Sequence, residues 1–368
     1  MSSLESVAQQ FDLNSNVTEI KPYGSGNINR TYLLTTDSDP PAKTILQRIN
    51  TKVFKQPRQI MENMVVITRH MEAQLGTQDR EASMWRIPRI IMTRGGENCF
   101  IDQDGHFWRA ISFIDSTVSF EKVCNQDQAQ KAGQALGLFH RLTGNLDPKK
   151  LHDTLPGYHH TPGYLNHYDH IRSATKVGSN RSHNYAGFCA DFIEENRKTV
   201  DVLENAQKAG RLIIRTIHGD PKISNMLFDK EQGEPVSLID LDTVKPGLLQ
   251  YDIGDFLRSV CNPAGEEAAD PESVSFDVGL CRAGLKGYFP EVSDLLTRDD
   301  VDAIFGAIRL IAFELGLRFY TDFLEGDVYF RADHESHNLL RAAGQFRLVE
   351  SILKQESEIQ SIIKTLSK

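Results

Sequence analysis

The residues of this chain whose types and spacing could act together lie between His218 and Asp242. His218-Gly219-Asp220-Pro221-Lys222-Ile223-Ser224-Asn225 leads, past a turn at Gln232-Gly233-Glu234-Pro235, to Ser237-Leu238-Ile239-Asp240-Leu241-Asp242. A carboxylate at 220, an amide at 225 and a second carboxylate ending an apolar run at 240 suit phosphoryl transfer. That reaction needs in-line positioning, a cation against the phosphate oxygens and a carboxylate for the acceptor's proton. Magnesium takes oxygen ligands and keeps several waters, so an amide and a carboxylate suffice beside nucleotide phosphates. The order of these groups repeats the protein-kinase catalytic loop and its metal aspartate. His218 is expected to hydrogen-bond the loop backbone without touching substrate. Asp242 reads as a loop-ordering or capping carboxylate, with a place beside the metal as the alternative.

The elements that must position these groups fall into two sets. A short helix is expected within residues 1 to 20, from Leu4, Val7 and Phe11. Tyr23-Gly24-Ser25-Gly26-Asn27-Ile28-Asn29-Arg30 then reads as a glycine-rich hairpin turn, with its second strand starting near Arg30. Thr44–Ile49, Ile87–Met92, Cys99–Asp102 and Trp108–Ile114 read as further strands. Ile60, Met64, Ile67 and Met71 mark a helix over 57–75. After residue 114 the pattern turns helical: 127–143 up to Gly144, then 166–178, 187–208, 298–324 and 338–366, with a loop over 147–165. The expectation is an α+β, two-lobed fold of protein-kinase type. A small β-rich lobe covers 1–114, a larger helical lobe covers 115–368, and the nucleotide lies between them.

Bulk composition agrees. A chain of 368 residues accommodates two units with their own cores. With 40% hydrophobic and 25% charged residues it reads as an ordinary globular protein. A net charge of -9 and no basic run exclude a nucleic-acid backbone as partner. Cys99, Cys124, Cys189, Cys261 and Cys281 show no metal or disulfide spacing. The N-terminus has no secretory pattern, and no apolar run approaches the roughly 18–20 residues of a membrane span. The expected compartment is the cytoplasm, with no membrane partner.

The ordered motifs resemble the aminoglycoside phosphotransferase and choline kinase superfamily. More narrowly, they are similar to bacterial N-acetylhexosamine 1-kinases. The stretches that carry this are Tyr23-Gly24-x-Gly26-x-Ile28-Asn29, Ile45-Leu46-Gln47, Ile239-Asp240-Leu241-Asp242-Thr243-x-x-Pro246-Gly247 and Asp252-x-Gly254-Asp255. Arg318-Phe319 and Leu324-Glu325-Gly326-Asp327-x-Tyr329-Phe330 complete the set, so the likeness spans about residues 5–350. It implies ATP and Mg2+ as cofactors, Asp220 as catalytic base, and Asn225 and Asp240 as magnesium ligands. It implies a nucleotide site made of Gly24, Ser25, Gly26, Asn29, Gln47, Phe113, Ile114 and Asp115, the last three as the hinge facing adenine. It also implies an amino-sugar acceptor held through Asn27, Thr243, Arg318 and Tyr329. Relatives carry His at the position of Asn27, which leaves the sugar open. Gln47 stands where many kinases place a lysine, as it does in the hexosamine kinases.

Several of these residues have plainer readings. The glycines at 24 and 26 suit any hairpin, Arg318 could pair with Glu314 one helical turn away, and Tyr329 could be a core aromatic. The histidines between His152 and His183 read as a solvent-facing rim of the acceptor cleft, with a metal site as the lesser alternative; His334 and His337 read likewise. The expected function is transfer of the ATP γ-phosphoryl group to the anomeric hydroxyl of an N-acetylhexosamine. The alternatives are a kinase for an aminoglycoside, a choline-like alcohol or another sugar, and a nucleotide-binding pseudokinase acting as an interaction module.

Overall fold

Apolar runs such as Leu33-Leu34 and Ile45-Leu46, whose neighbouring residues point to opposite faces, build an antiparallel sheet buried on both sides. A computed structural model describes residues 3–24, 28–76, 84–174 and 184–368. After a short helix α1 (Leu4–Ala8), capped by the Ser3 side chain, come β1 (Val17–Pro22), β2 (Arg30–Thr36) and β3 (Lys43–Ile49). Helix α2 (Pro57–Leu75) is followed by β4 (Ile90–Ile91), β5 (Phe100–Ile101) and β6 (Phe107–Ser112). The sheet order is β1-β2-β3-β6-β4, with β5 also on β6. One face buries Leu34, Leu46, Trp108 and Ala110 against Val7, Ala8 and Phe11. Ile49 and Phe107 join the other core, with Ile60, Met64, Ile67 and Met71 of α2. The β3–β6 register sets Gln47 opposite Arg109.

The chain then leaves this sheet. Strand β7 (Thr117–Val118) pairs with a later strand, and the helices α3 (Gln126–Thr143), α4 (Thr161–Ala174), α5 (Asn184–Asn196) and α6 (Val202–Lys208) follow. Four short strands come next: β8 (Arg215–Ile217), β9 (Met226–Asp229), β10 (Pro235–Leu238) and β11 (Lys245–Gly247). They form two ribbons, β7-β9-β10 and β8-β11, that carry the 218–244 segment between them. Helices α7 (Leu249–Val260), α8 (Val278–Val292), α9 (Arg298–Asp302), α10 (Ile304–Glu325), α11 (His337–Lys354) and α12 (Glu356–Leu366) close the helical part. The architecture is a mixed α+β, protein-kinase-like fold, with a β-rich N-terminal region and a helical C-terminal region. Helices α3 and α8 cross almost backbone to backbone. A Cβ on Gly133 would fall 1.9 Å from the Gly284 carbonyl oxygen, so glycine is required there.

Several boundaries differ from the sequence expectation. The first helix stops at Ala8, because Phe11 bridges to Thr93 and Asn14 turns to φ 57° before β1. The loop expected over 147–165 ends earlier, at Thr161, where Pro162 suits the first helical turn and the Thr161 hydroxyl bonds Glu314. The helix expected over 187–208 divides into α5 and α6, and that over 298–324 divides at Ala303. Helix α7 is strongly amphipathic in sequence, yet Leu249–Leu257 are all buried, its polar side chains included.

Candidate active site

Strand β8 ends at Ile217 and delivers His218-Gly219-Asp220 into the cleft. Gly219 has φ +87°, and a Cβ there would meet the Thr243 carbonyl oxygen at 2.7 Å, so the turn admits only glycine. Asp252 of α7 accepts from the backbone N–H of His218 at 2.6 Å and of Gly219 at 2.8 Å. Its Oδ2 also meets His140 Nε2 at 2.9 Å, and His140 Nδ1 meets the Tyr288 hydroxyl at 2.9 Å. Burial alone would raise the Asp252 carboxyl, but His140 and the two backbone donors hold it below its usual range. The His218 ring is fully buried, and burial lowers its pKa. Its Nε2 donates to the Ile239 carbonyl at 3.0 Å, leaving Nδ1 to accept from Asp220 N at 3.3 Å. It therefore braces the loop backbone, as the sequence suggests.

The functional side chains gather around this frame. Asn225 Nδ2 donates to the Asp220 carbonyl at 2.8 Å and to its Oδ2 at 3.0 Å, so Oδ1 is the atom Asn225 has for a cation. Lys222 Nζ lies 2.9 Å from Asp220 Oδ2. Burial works against the Lys222 charge, yet Asp220 and Glu266 raise its pKa. The Ile239 N–H donates to the Asn225 carbonyl at 2.9 Å, tying the two loops together. Asp240 then takes φ 66°, a conformation that costs a non-glycine residue energy and concentrates at functional sites. Desolvation by the cleft walls, with the like charges of Asp242 and Asp220, pushes the Asp240 carboxyl up to about 7. Asp240 itself opens to solvent, so the repulsion is the firmer of these causes. Two aspartates and an amide, all oxygen donors crowded with negative charge, fit a hard divalent cation.

Asp242 is buried and ordered from three directions. Asn29 Nδ2 donates to its Oδ2 at 2.7 Å, Arg109 forms an ion pair with its Oδ1, and Thr154 Oγ1 donates to its carbonyl at 2.8 Å. The loop-ordering reading of Asp242 is the one the contacts describe. Both ends of Gln47 are engaged inside the sheet. Its Oε1 accepts from Arg109 Nε at 2.9 Å and Nη2 at 2.7 Å, and its Nε2 donates to Thr31 at 3.0 Å.

On the nucleotide side, Gly24 has φ +78° with open space around it, while Ser25, Gly26 and Asn27 lie outside the described residues. Tyr23 sets its ring edge-on to Phe113, with centroids 5.7 Å apart. After Phe113, Ile114 is buried and Asp115 is exposed, pairing with Lys43 at 3.1 Å.

On the acceptor side, Thr243 Oγ1 donates to the His218 carbonyl at 2.8 Å. The Arg318 guanidinium stands 5.1 Å from the Tyr158 ring, 5.0 Å from Tyr164, 5.8 Å from Tyr329 and 5.3 Å from Phe330. The pair with Glu314 does not form, since that carboxylate holds His159 Nδ1 at 3.0 Å and Thr161 Oγ1 at 2.7 Å. Asp322 sets the loop that presents Tyr329, accepting the N–H groups of Val328 at 2.9 Å, Tyr329 at 2.7 Å and Phe330 at 2.9 Å. Burial raises the pKa of the Tyr158 hydroxyl, and the Asp220 charge raises it further.

The histidine rim needs correction. His159 is fully buried and donates from Nε2 to the Gly219 carbonyl at 2.8 Å; a left-handed backbone, φ 63°, turns it inward. His152 and His167 are exposed and pair with Glu62 and Glu325, and His183 lies outside the described residues. Among the described residues these histidines form no metal cluster. Sequence reasoning missed Arg109, Lys222, Tyr158 and Tyr164. A lone arginine inside the run Trp108–Ile114 was the available signal for Arg109, and Lys222 sat within the motif itself. Tyr158 and Tyr164 gave no signal, because their loop looked solvent-facing.

Known proteins share this chain's sequence pattern and its fold. Residues 19–287 match the APH phosphotransferase enzyme family. An aminoglycoside phosphotransferase from Alicyclobacillus acidocaldarius superposes with a TM-score of 0.61 at 15% identity, over 100% of this chain and 96% of that one. A microcompartment-associated aminopropanol kinase gives 0.66 at 16% identity, over 97% of each chain. A Plasmodium vivax ethanolamine kinase gives 0.56 at 14%, over 90% of this chain and 81% of that one. Among the described residues no helix is long and apolar enough to cross a membrane. With most of its length matched in sequence and its fold shared, the chain belongs to the APH phosphotransferase enzyme family.

Proposed function

We propose that this phosphotransferase moves the γ-phosphoryl group of ATP to the anomeric hydroxyl of an N-acetylhexosamine, giving the sugar 1-phosphate. ATP lies under the hairpin of Gly24, Ser25, Gly26 and Asn29, with adenine against Phe113, Ile114 and Asp115. On this reading 1–114 forms the nucleotide lobe and 115–368 the acceptor lobe. Asn225 Oδ1 and Asp240 would hold Mg2+, which would supply positive charge against the phosphate oxygens when bound. Asp220 orients the acceptor hydroxyl and takes its proton as the new O–P bond forms and the β,γ-bridging bond breaks. Lys222, beside Asp220, holds its ammonium group toward the transferring phosphoryl oxygens.

The acceptor class rests on Arg318. Its cation already occupies the ring faces that would otherwise receive an ammonium group, which disfavours choline-like acceptors. No hydrogen bond engages its guanidinium among the described residues, so its donors are open to a carbonyl oxygen such as an acetamido group's. Thr243 and Tyr329 complete the acceptor wall. The test is ADP release by the purified protein with ATP and Mg2+ across N-acetylglucosamine, N-acetylgalactosamine, other free sugars, an aminoglycoside and choline. Turnover on the acetylated hexosamines with a 1-phosphate product supports the reading. Turnover on choline or aminoglycoside alone discards the acceptor, and nucleotide binding without transfer to any of them points to a pseudokinase.

A further inference from the structure

Arg109 is the arginine most completely withdrawn from solvent, at 2% exposure, and it sits in the middle of β6. A charge in such a place is costly unless every donor is directed. Nε and Nη2 converge on Gln47 Oε1 at 2.9 and 2.7 Å, and Nη1 pairs with Asp242, itself 2% exposed. Asp242 is two residues past Asp240 and belongs to the helical part of the molecule, while Arg109 and Gln47 belong to the sheet. Asp242 also receives Asn29, whose Oδ1 accepts the Asn50 N–H at 2.9 Å. Asn29 directly precedes β2, just after the glycine turn. One carboxylate therefore collects a donor from the strand after the turn and a donor from the sheet's interior.

We infer that Arg109 is a positioning residue, part of an Arg109–Gln47–Asp242–Asn29 latch that sets Asp240 against the nucleotide phosphates and ties that setting to the start of β2. The inference rests on the nucleotide and metal roles proposed above. Gln47 occupies the strand position at which a kinase lysine would reach the phosphates, but here it serves to aim the arginine of the next strand. The latch carries the positive charge from the sheet to the metal loop and not to the nucleotide directly. Its loss should weaken the metal-dependent part of nucleotide affinity and leave the metal-free part near its original value.

The experiment measures the Kd of AMP-PNP by calorimetry in Mg2+ and in EDTA, for wild type, Asn29→Ala, Arg109→Met and the apolar pair Arg109→Met/Asp242→Leu. The pair removes both buried charges together, which guards against the misfolding that an orphaned buried aspartate would cause. The Mg2+-to-EDTA affinity ratio is expected to fall about tenfold in the pair, with its EDTA value unchanged, and about threefold in Asn29→Ala, whose EDTA value also drops because Asn29 lies in the proposed nucleotide site. ATP turnover should need correspondingly more Mg2+. A wild-type ratio in the folded pair overturns the latch, as does an equal loss of affinity with and without metal. A wild-type protein whose AMP-PNP affinity ignores Mg2+ overturns the metal assignment beneath it, and the two failures are told apart by that first measurement.

Discussion

Behind Asp220 the contacts have fixed directions. Asp252 takes the His218 and Gly219 N–H groups, His159 takes the Gly219 carbonyl, and Asn225 takes the Asp220 carbonyl. Around Arg318 the contacts are ring faces between 5.0 and 5.8 Å away, and the adjoining Tyr329 is 44% exposed. Hydrogen bonds weaken steeply with angle and distance, whereas attraction between a cation and a ring is tolerant of sliding within about 6 Å. The difference teaches where variation is cheap. On the proposed reading, the carboxylate side is held to the tolerance that in-line transfer demands, and the Arg318 side adjusts to a different acceptor without disturbing it.

The sharpest way to break that contrast is Asp220→Asn. The amide keeps the shape and loses the base, so kcat should fall about 10³-fold with the melting temperature nearly unchanged. Steady-state turnover and a thermal melt on the same sample check it, and turnover within tenfold of wild type would remove Asp220 from its role. Asp252→Asn comes next, because it weakens two backbone anchors and the His140 contact together. We expect stability to drop by about 3 kcal/mol and kcat by about tenfold or more. Denaturant unfolding beside kcat reads both. Lost stability with an intact kcat would confine Asp252 to folding, and the rigid side would then owe its precision to other contacts.

Arg318→Met sharpens the other half. Methionine keeps an apolar filler among the four rings but removes the donors, so acceptor kcat/KM should fall about tenfold, near 1.4 kcal/mol, with KM for ATP unchanged. A rise in KM for ATP would mean that the ring cluster shapes the whole cleft.

The same contrast explains what the sequence disclosed. Asp220, Asn225 and Asp240 are legible because one short segment carries all of them, and the turn between β9 and β10 fixes their separation. Helix α2 is legible because it buries one face at helical period, and the strands because apolar and β-branched runs are bounded by turn residues. The way the supports meet is not legible, even though Asp252 stands in a motif, because His140 lies 112 residues from Asp252 and 148 from Tyr288, on α3, α7 and α8. His159 looked like a rim residue inside a segment rich in proline and glycine; only the tertiary fold supplies the Gly219 carbonyl and Glu314 that draw it inward. Arg109 looked like an interruption in a strand; Gln47 was read at the nucleotide, and Asp242, read as ordering its loop, gave no sign of its arginine partner.

The smallest effect tests whether His159 belongs to the rigid side through its charge. Burial opposes protonation of His159, but the Glu314 carboxylate outweighs it and raises the pKa above the ordinary 6.5. Burial likewise opposes the Glu314 charge, and His159, with Thr161 and Arg318, brings that carboxyl below the ordinary 4.5. The His159 contribution to stability is fully present below 6.5 and is lost as pH rises through the raised value. The Glu314 contribution is present above 4.5 and is lost as pH falls through the lowered value. Both act together between 4.5 and 6.5. Glu314→Gln should therefore melt below wild type by a margin that is widest in that window and narrows by a few degrees, about 1 kcal/mol, toward alkaline pH. The buried, neutral His218 must be charged on acid unfolding in both proteins, so it cancels from the difference. Melting curves of the two proteins from pH 5 to 9 make the comparison. A margin that is flat across that range would mean the pair is held by hydrogen bonds alone, with His159 neutral throughout.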